Sequence, residues 1–139
     1  MKNVLFIALA VCTLAGCANN NEVKQILVGK WKYDPPAIVQ NAHDRQLTQQ
    51  QIMAIEGAML IYQNYVFEFQ EDNTLILSGG SAPITGTYEL NRDGSKIALN
   101  LDSDAPMVDI LEISPNRVVL AADTNRNILF QRILKPVQE

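Results

Sequence analysis

Apolar and polar side chains alternate along most of this chain with a period of two. Between residues 28 and 33, Trp31 and Tyr33 fall on one face, whereas Lys30 and Lys32 fall on the other. The same alternation returns at residue 65 and continues almost to the end of the chain. A period of two predicts strands that bury one face and expose the other.

Residues typical of turns divide this pattern into short segments. Glycine, proline, asparagine and aspartate cluster between them roughly every 8–12 residues, a spacing that predicts an all-β barrel or sandwich. The inward face of the sixth segment stays unassigned. The predicted strands are 28–33, 65–70, 74–78, 84–90, 96–101, 107–113, 117–121 and 127–134.

One α-helix is predicted between the first and second strands. Thr48 and Gln51 have the spacing of a capping box, and Ile52, Ile55 and Met59 follow roughly along one helical face. These features place a helix at residues 49–62. Its apolar face either packs against the domain or forms a mobile lid over a ligand. The first strand ends at residues 34–36, because the two prolines there cannot donate to a strand ladder.

The connections between the predicted strands differ in length at the two ends of the sheet. If the strands run up and down, the tight turns at 71–73, 91–94 and 114–116 meet at one end. The longer connections, including the helical segment, meet at the other end. This pattern predicts an eight-stranded up-and-down antiparallel barrel with a closed base and with the helix over its mouth. Eight strands enclose a space that either side chains or one small ligand can fill.

The first predicted strand carries Gly29-Lys30-Trp31, which resembles the Gly-x-Trp motif of lipocalin-like, or calycin-type, proteins. The resemblance extends over residues 27–134 and implies that Gly29 and Trp31 belong to the base of the barrel. It also implies that an arginine of the last strand packs across the tryptophan, a position that Arg132 fits. The helix departs from lipocalins, which usually have a loop there. It is more similar to the lid of fatty-acid-binding proteins, and it could equally block the mouth.

The N-terminus has the pattern of a secretory signal, with one lysine followed by the apolar run 4–14. The run ends in Leu14-Ala15-Gly16-Cys17, which looks like the lipobox of bacterial lipoproteins. In that family the peptide is cut before the cysteine, which carries acyl chains. The resemblance implies a signal peptide at 1–16, lipid attachment at Cys17 and a lipidated polar tether at 17–25. The barrel domain then covers 26–139.

The residue after the cysteine bears on localisation. Ala18 stands where aspartate would resemble an inner-membrane retention signal. We therefore expect a lipoprotein that its acyl chains hold in the outer membrane. Residues 19–22 lack the dense acidic run that some bacteria use for surface export, which favours the periplasmic face over the alternative of the cell surface. One acyl chain anchors a protein only marginally, whereas several make the anchorage stable.

Charge and cysteine content restrict the chemistry of the mature chain. Removal of Lys2 with the signal leaves 10 basic and 15 acidic side chains, a balance that does not favour nucleic acid as a partner. Cys12 leaves with the signal and Cys17 carries lipid, so we expect no disulfide in the domain. His43 stands alone in a polar segment. We therefore expect no metal site, no cofactor and no enzymatic activity.

The inward faces of the strands instead predict an apolar ligand site. Aromatic side chains of three strands are expected to point inwards, and methionines of the helix can repack around variable shapes. The expected function is non-enzymatic binding of a small hydrophobic ligand in the envelope. The alternative is a filled barrel that acts as a protein-binding accessory or inhibitor module. The residues expected to contact the ligand are Tyr33, Met53, Met59, Tyr65, Phe67, Phe69, Gly86 and Tyr88.

Overall fold

A computed structural model describes residues 19–138, in which eight strands form a closed antiparallel barrel. Each strand pairs with the next along the chain, and the last strand pairs with the first. This arrangement confirms the fold that the alternating pattern predicts. The strands are β1 (Gly29–Tyr33), β2 (Val66–Phe69), β3 (Thr74–Ser78), β4 (Ile84–Leu90), β5 (Lys96–Asn100), β6 (Val108–Ser114), β7 (Arg117–Leu120) and β8 (Arg132–Pro136).

Helices flank the barrel in the described part of the chain. They are α1 (Asn20–Leu27), α2 (Pro35–Asp44), α3 (Gln49–Tyr62) and a short 3-10 helix (Thr124–Arg126). Within residues 19–138, no helix combines the length and the apolar character needed to cross a bilayer. The predicted signal peptide at 1–16 and the predicted lipid attachment site at Cys17 lie outside the described residues.

The barrel has two different ends, which we call the base and the mouth. β1 runs from the base to the mouth, and β8 runs in the opposite direction beside it. Because successive strands are antiparallel, the short connections after β2, β4 and β6 lie at the base. The connections after β1, β3, β5 and β7 lie at the mouth, and the longest of them follow β1 and β7.

Helix α1 covers the base, in a segment for which the sequence predicts a polar tether. Val23 and Leu27, one helical turn apart, are both buried. The side-chain amide of Asn20 donates a hydrogen bond of 2.8 Å to the Asn91 carbonyl, in the connection between β4 and β5. The tether prediction is therefore wrong from residue 20 onward, because this segment buries apolar side chains against the barrel.

Gly29 and Trp31 join α1 to the base. Gly29 has a φ of 137°, a conformation that favours glycine, where the chain turns from α1 into β1. Trp31 is buried, and its indole N–H donates a hydrogen bond of 2.8 Å to the Leu27 carbonyl. That carbonyl belongs to the last turn of α1, where backbone acceptors have no partner within the helix. The indole therefore both fills the base and secures the helix that covers it.

Arg132 does not pack across Trp31, as the lipocalin-like resemblance implies, but lies at the opposite end of the barrel. In the register between β1 and β8, Trp31 pairs with Pro136 and Tyr33 pairs with Leu134. Arg132 lies two residues before Leu134 and therefore beyond the end of β1, at the mouth. Its assignment to the base is wrong.

A turn before β8 explains this error. Residues 127–131, which the sequence assigns to the last strand, instead follow the 3-10 helix. Asn127 adopts a φ of 57°, and Asp123 and Ile128 exchange backbone hydrogen bonds of 3.0 and 2.9 Å. This small hairpin delays the start of β8 until Arg132, and the strand then continues to Pro136.

Two helices, rather than one, connect β1 to β2. Helix α3 occupies the predicted range and begins with the predicted capping box. Helix α2 is absent from the prediction, since Pro35 and Pro36 end the strand pattern there. Proline also suits the first turn of a helix, where its missing N–H has no intrahelical partner to lose. Ile38 and Ala42 are buried on α2, which packs against α3 and β8.

The core extends from α1 through the barrel to α2 and α3. Val23 of α1, Trp31 of β1, Ile38 of α2 and Met59 of α3 belong to one cluster of buried side chains. Residues 19–138 contain the closed barrel, the N-cap of α1 and this core. A chain that begins at Ala18 therefore retains the contacts that stabilise the fold.

Gly86 marks a close approach between β4 and the end of β5. A Cβ atom at this position would collide with the Asn100 carbonyl oxygen and lie 3.0 Å from the Leu101 Cα. Both atoms belong to the backbone, which cannot move aside as a flexible side chain can. Gly86 therefore permits close packing of the chain. The expectation that it contacts a ligand is wrong, because backbone atoms occupy the space beside it.

We expect Trp31→Phe to loosen α1 from the base. The variant keeps an aromatic ring in the core but leaves the Leu27 carbonyl without its donor, a loss of about 1–3 kcal/mol for a buried acceptor. Hydrogen exchange should become faster at the amides of α1, whereas α3 should keep its protection. Unchanged protection of α1 would contradict the role assigned to the indole.

Gly86→Ala should lower the free energy of unfolding by about 1–3 kcal/mol, because the backbone must shift to admit a methyl group. Gly57→Ala provides the matched control, since a Cβ atom at this exposed position on α3 meets nothing within 4 Å. Alanine there should raise the free energy of unfolding by about 0.5–1 kcal/mol. Denaturant unfolding measures both effects, and equal stabilities of the two variants would refute the proposed close packing.

Candidate functional site

A cavity of about 300 Å³ opens at the mouth of the barrel, and we call it the mouth cavity. Its wall comes from the mouth ends of β1, β2, β3, β4, β5 and β8, from the end of α3 and from the connection between β7 and β8. Most of the wall is aliphatic or aromatic. The lining residues are Tyr33, Tyr62, Tyr65, Phe67, Leu77, Ile84, Leu99, Leu101, Asp102, Arg126, Ile128, Phe130 and Arg132.

Tyr33 is the centre of the aromatic wall. Its ring centroid lies 5.3 Å from that of Phe67 in a T-shaped pair. It lies 6.2 Å from the centroid of Phe130 and 6.1 Å from that of Tyr62. Aromatic pairs in such tilted arrangements stabilise one another beyond the burial of their surfaces. Tyr33 thereby holds the end of α3 and the connection before β8 against the end of β1.

Three of the residues predicted to contact a ligand line the mouth cavity, namely Tyr33, Tyr65 and Phe67. They come from the end of β1 and from the chain entering β2, which are neighbours at the mouth. The alternating pattern identifies their inward face correctly, and the antiparallel pairing of β1 with β2 brings them together.

The other predicted contact residues lie away from this cavity. Phe69 and Tyr88 are buried nearer the base, with ring centroids 5.1 Å apart, and the Tyr88 hydroxyl donates to the Gln70 carbonyl at 2.6 Å. Met59 is buried in the core beneath α3, whereas Met53 is 62% exposed. These side chains fill the barrel or face solvent and do not line the cavity.

Two arginines complete the wall, and the sequence predicts neither of them as a ligand contact. Arg126 comes from the 3-10 helix and Arg132 from the start of β8. Ile128, Phe130 and Arg132 occupy alternate positions in the sequence, which indicates that they share an inward face. This alternation does not specify which end of the barrel a side chain reaches, because that depends on where β8 begins.

Arg132 is buried in an unusual way for a charged side chain. It is 8% exposed, and its Nε has no hydrogen-bond partner among the described residues. Burial lowers the pKa of the guanidinium, while Tyr33 and Asp123 act in the opposite direction. An arginine nevertheless remains protonated in proteins. The wall of the cavity therefore contains a charged donor without an acceptor, an arrangement that destabilises the empty protein.

Asp123 offsets part of the positive charge. Its carboxylate is buried, and the Arg126 Nε lies 4.0 Å from it. Asp102 also lines the cavity, but it is exposed, so water screens its charge. Two guanidinium groups thus accompany one buried carboxylate, which leaves the inner wall with a net positive charge.

The Tyr33 hydroxyl adds a neutral donor to the wall. Burial raises its pKa to about 12, although the nearby Arg132 acts to lower it. The hydroxyl therefore stays protonated at neutral pH and can donate a hydrogen bond. Tyr62 and Tyr65, with ring centroids 5.6 Å apart, bring two more phenol groups to the same wall.

A larger groove of about 660 Å³ lies at the base beside α1. It is wide and open to solvent, and its polar side chains Glu22, Gln25 and Lys30 are exposed. The buried polar group in this groove, the Trp31 indole, already bonds to Leu27. The mouth cavity is the better candidate because it combines concave apolar walls with a donor that needs an acceptor.

The described residues provide few groups for metal binding or for acid–base chemistry. Within residues 19–138, no three histidine, cysteine, aspartate or glutamate side chains cluster so as to hold a metal ion. His43 lies on the exposed surface of α2. The groups that line the mouth cavity provide apolar contact, phenol hydroxyls and guanidinium donors.

Comparisons with known proteins agree with the architecture. No family model matches the sequence, and no curated protein matches it significantly. The structure is similar to the crystal structure of a DUF4847 family protein from Bacteroides vulgatus ATCC 8482, with a TM-score of 0.51 and 13% sequence identity. The match covers 82% of this chain and 96% of that protein. At this identity the likeness concerns the fold alone, and it fits a calycin-like barrel.

Proposed function

We propose that this protein is a non-enzymatic binder of a small hydrophobic ligand and that the ligand occupies the mouth cavity. The observation that carries the proposal is the cavity itself, about 300 Å³ and largely apolar. Small-molecule sites usually range from roughly 300 to 1,000 Å³. The volume therefore suits a compact ligand.

The rest of the barrel supports a site that exists before the ligand arrives. Phe69 and Tyr88 fill the interior towards the base, and α1 covers the base from outside. A ligand at the mouth therefore does not have to displace the core. Preformed sites lose less conformational entropy on binding than sites that must be ordered first.

The N-terminal motif supports anchorage in the envelope. Under this proposal, Cys17 carries acyl chains in the outer membrane and the domain faces the periplasm. Helix α1 starts at Asn20, and three residues span at most about 10 Å. The base of the barrel would then lie close to the membrane, and the mouth would open away from it.

A second candidate function is protein binding, and the surface of α3 favours it. Leu60 is 71% exposed, Ile61 65% and Met53 62%. Apolar side chains exposed together on one element are typical of interaction surfaces. Under this alternative, the barrel would act as an accessory or inhibitor module, and the mouth cavity would stay empty.

We expect the chain from Ala18 onward to bind a hydrophobic dye or an amphiphile with micromolar affinity, about −8 kcal/mol. Native mass spectrometry of the purified protein, followed by fluorescence titration, measures this binding. Leu77→Trp should weaken it by about tenfold or more, equivalent to about 1.4 kcal/mol, because the larger side chain occupies the cavity.

Leu111→Trp is the control for that experiment, since Leu111 is exposed on β6 and does not line the cavity. It should leave the affinity unchanged, and circular dichroism should show that both variants are folded. A protein that emerges empty and ignores every probe would refute the ligand-binding proposal and leave the protein-binding alternative.

We expect Cys17→Ser to abolish acylation in cells, because serine cannot form the thioether that holds the acyl chains. The variant should incorporate no labelled palmitate and should no longer fractionate as a lipid-anchored protein. Cys12→Ser, inside the predicted signal peptide, should leave both properties intact. Equal labelling of the Cys17→Ser variant and the wild type would disprove the lipobox interpretation.

A further inference from the structure

We propose that the mouth cavity is specific for a compact amphiphile with a single negative charge and that Arg132 binds the charged group. This inference rests on the proposed function and adds the chemical class of the ligand. The observation behind it is a buried guanidinium that lines an apolar cavity while its Nε lacks an acceptor.

The unpartnered donor indicates what the ligand must supply. Buried polar groups in folded proteins almost always have a hydrogen-bond partner, and an exception calls for an explanation. The barrel encloses the Arg132 side chain, so bulk water reaches little of it. The Nε itself has almost no accessible surface, so an anionic ligand would instead accept through the part of Arg132 that lines the cavity and would neutralise the buried guanidinium charge. A carboxylate can also accept two parallel hydrogen bonds from one guanidinium, the strong geometry for this pair.

The charges around the cavity favour a monoanion over a dianion. Asp123 lies close enough to Arg126 to offset its charge, which leaves one guanidinium charge uncompensated. A ligand with one negative charge neutralises that excess. A second negative charge would find no second uncompensated guanidinium, since Asp123 already pairs with Arg126, and an unpaired charge in a poorly hydrated site is costly.

Neutral donors and apolar walls define the remainder of the ligand. The Tyr33 hydroxyl is protonated and can donate to the same carboxylate. Phe67, Leu99 and Leu101 offer an apolar surface to the uncharged part. Since the cavity measures about 300 Å³, that part is short or folded. The ligand class is therefore a small apolar carboxylic acid.

Three probes with the same chain length separate these contributions. At neutral pH octanoate carries one negative charge, 1-octanol carries none, and octyl phosphate carries about 1.5 to 2. We expect calorimetric titration of the chain from Ala18 onward to show that octanoate binds at least about tenfold more tightly than octanol. Octyl phosphate should bind more weakly than octanoate. Tighter binding of the phosphate would overturn the monoanion assignment.

Variants at Arg132 test the role of that residue. Arg132→Met should abolish the preference for octanoate while the affinity for octanol stays within about twofold, because the apolar wall remains. Arg117→Met, at the exposed start of β7, is the matched control and should keep the full preference. Should the methionine variant fail to fold, Arg132→Lys keeps the charge without the planar fork. It should retain a reduced preference for octanoate.

The outcomes distinguish the two proposals. If octanol and hydrophobic dyes bind but octanoate binds no better, the protein is a binder of neutral ligands and the inference about Arg132 is wrong. If octanoate keeps its advantage in Arg132→Met, another group binds the anion and the assignment also fails. If neither octanol nor octanoate binds, and the dyes do not bind either, the proposed function itself is refuted.

Discussion

The pairing of β1 with β8 is the constraint on which the rest of this structure depends. It closes the sheet, and its register sets Trp31 opposite Pro136 and Tyr33 opposite Leu134. That single alignment sends the indole to the base and the phenol to the mouth, where Arg132 lies beyond the end of β1. A slip of one residue would turn every side chain of the strand to the other face. The sealed end and the open end therefore both follow from how the barrel closes.

The two ends bury polar groups in opposite ways. At the base, the Trp31 N–H and the Leu27 carbonyl satisfy each other, so helix and barrel form one packed unit. At the mouth, Arg132 is desolvated without an acceptor for its Nε. An anion that neutralised this guanidinium would bind the folded protein and not the unfolded chain, and it would therefore stabilise the fold through mass action. Unfavourable features of this kind occur in natural proteins mainly at functional sites.

Much of the fold can be predicted from short segments of sequence, because the patterns that specify its strands and helix α3 lie within a few residues. Side chains of a strand alternate at every residue, so the pattern predicts eight strands, and a capping box spans only four residues, so it predicts α3. Two local signals are ambiguous. Pro35 and Pro36 suit both the end of a strand and the start of a helix. The register shift between Ile110 and Glu112 changes the parity within β6, which is why its inward face cannot be assigned from alternation.

Where alternation is regular, the sequence by itself determined which side chains turn inward, and so it predicted Tyr33 and Phe67 as part of an interior surface. Only the tertiary structure decided which of them line a cavity and which, such as Tyr88, fill the barrel. The position of Arg132 shows the reason. The alternation of neighbouring residues shows that Arg132 points inward. Its position between base and mouth, however, depends on a turn at 123–128 and on pairing with β1, about a hundred residues away in the chain. Long-range register, which no short window of sequence contains, places the charge in the mouth.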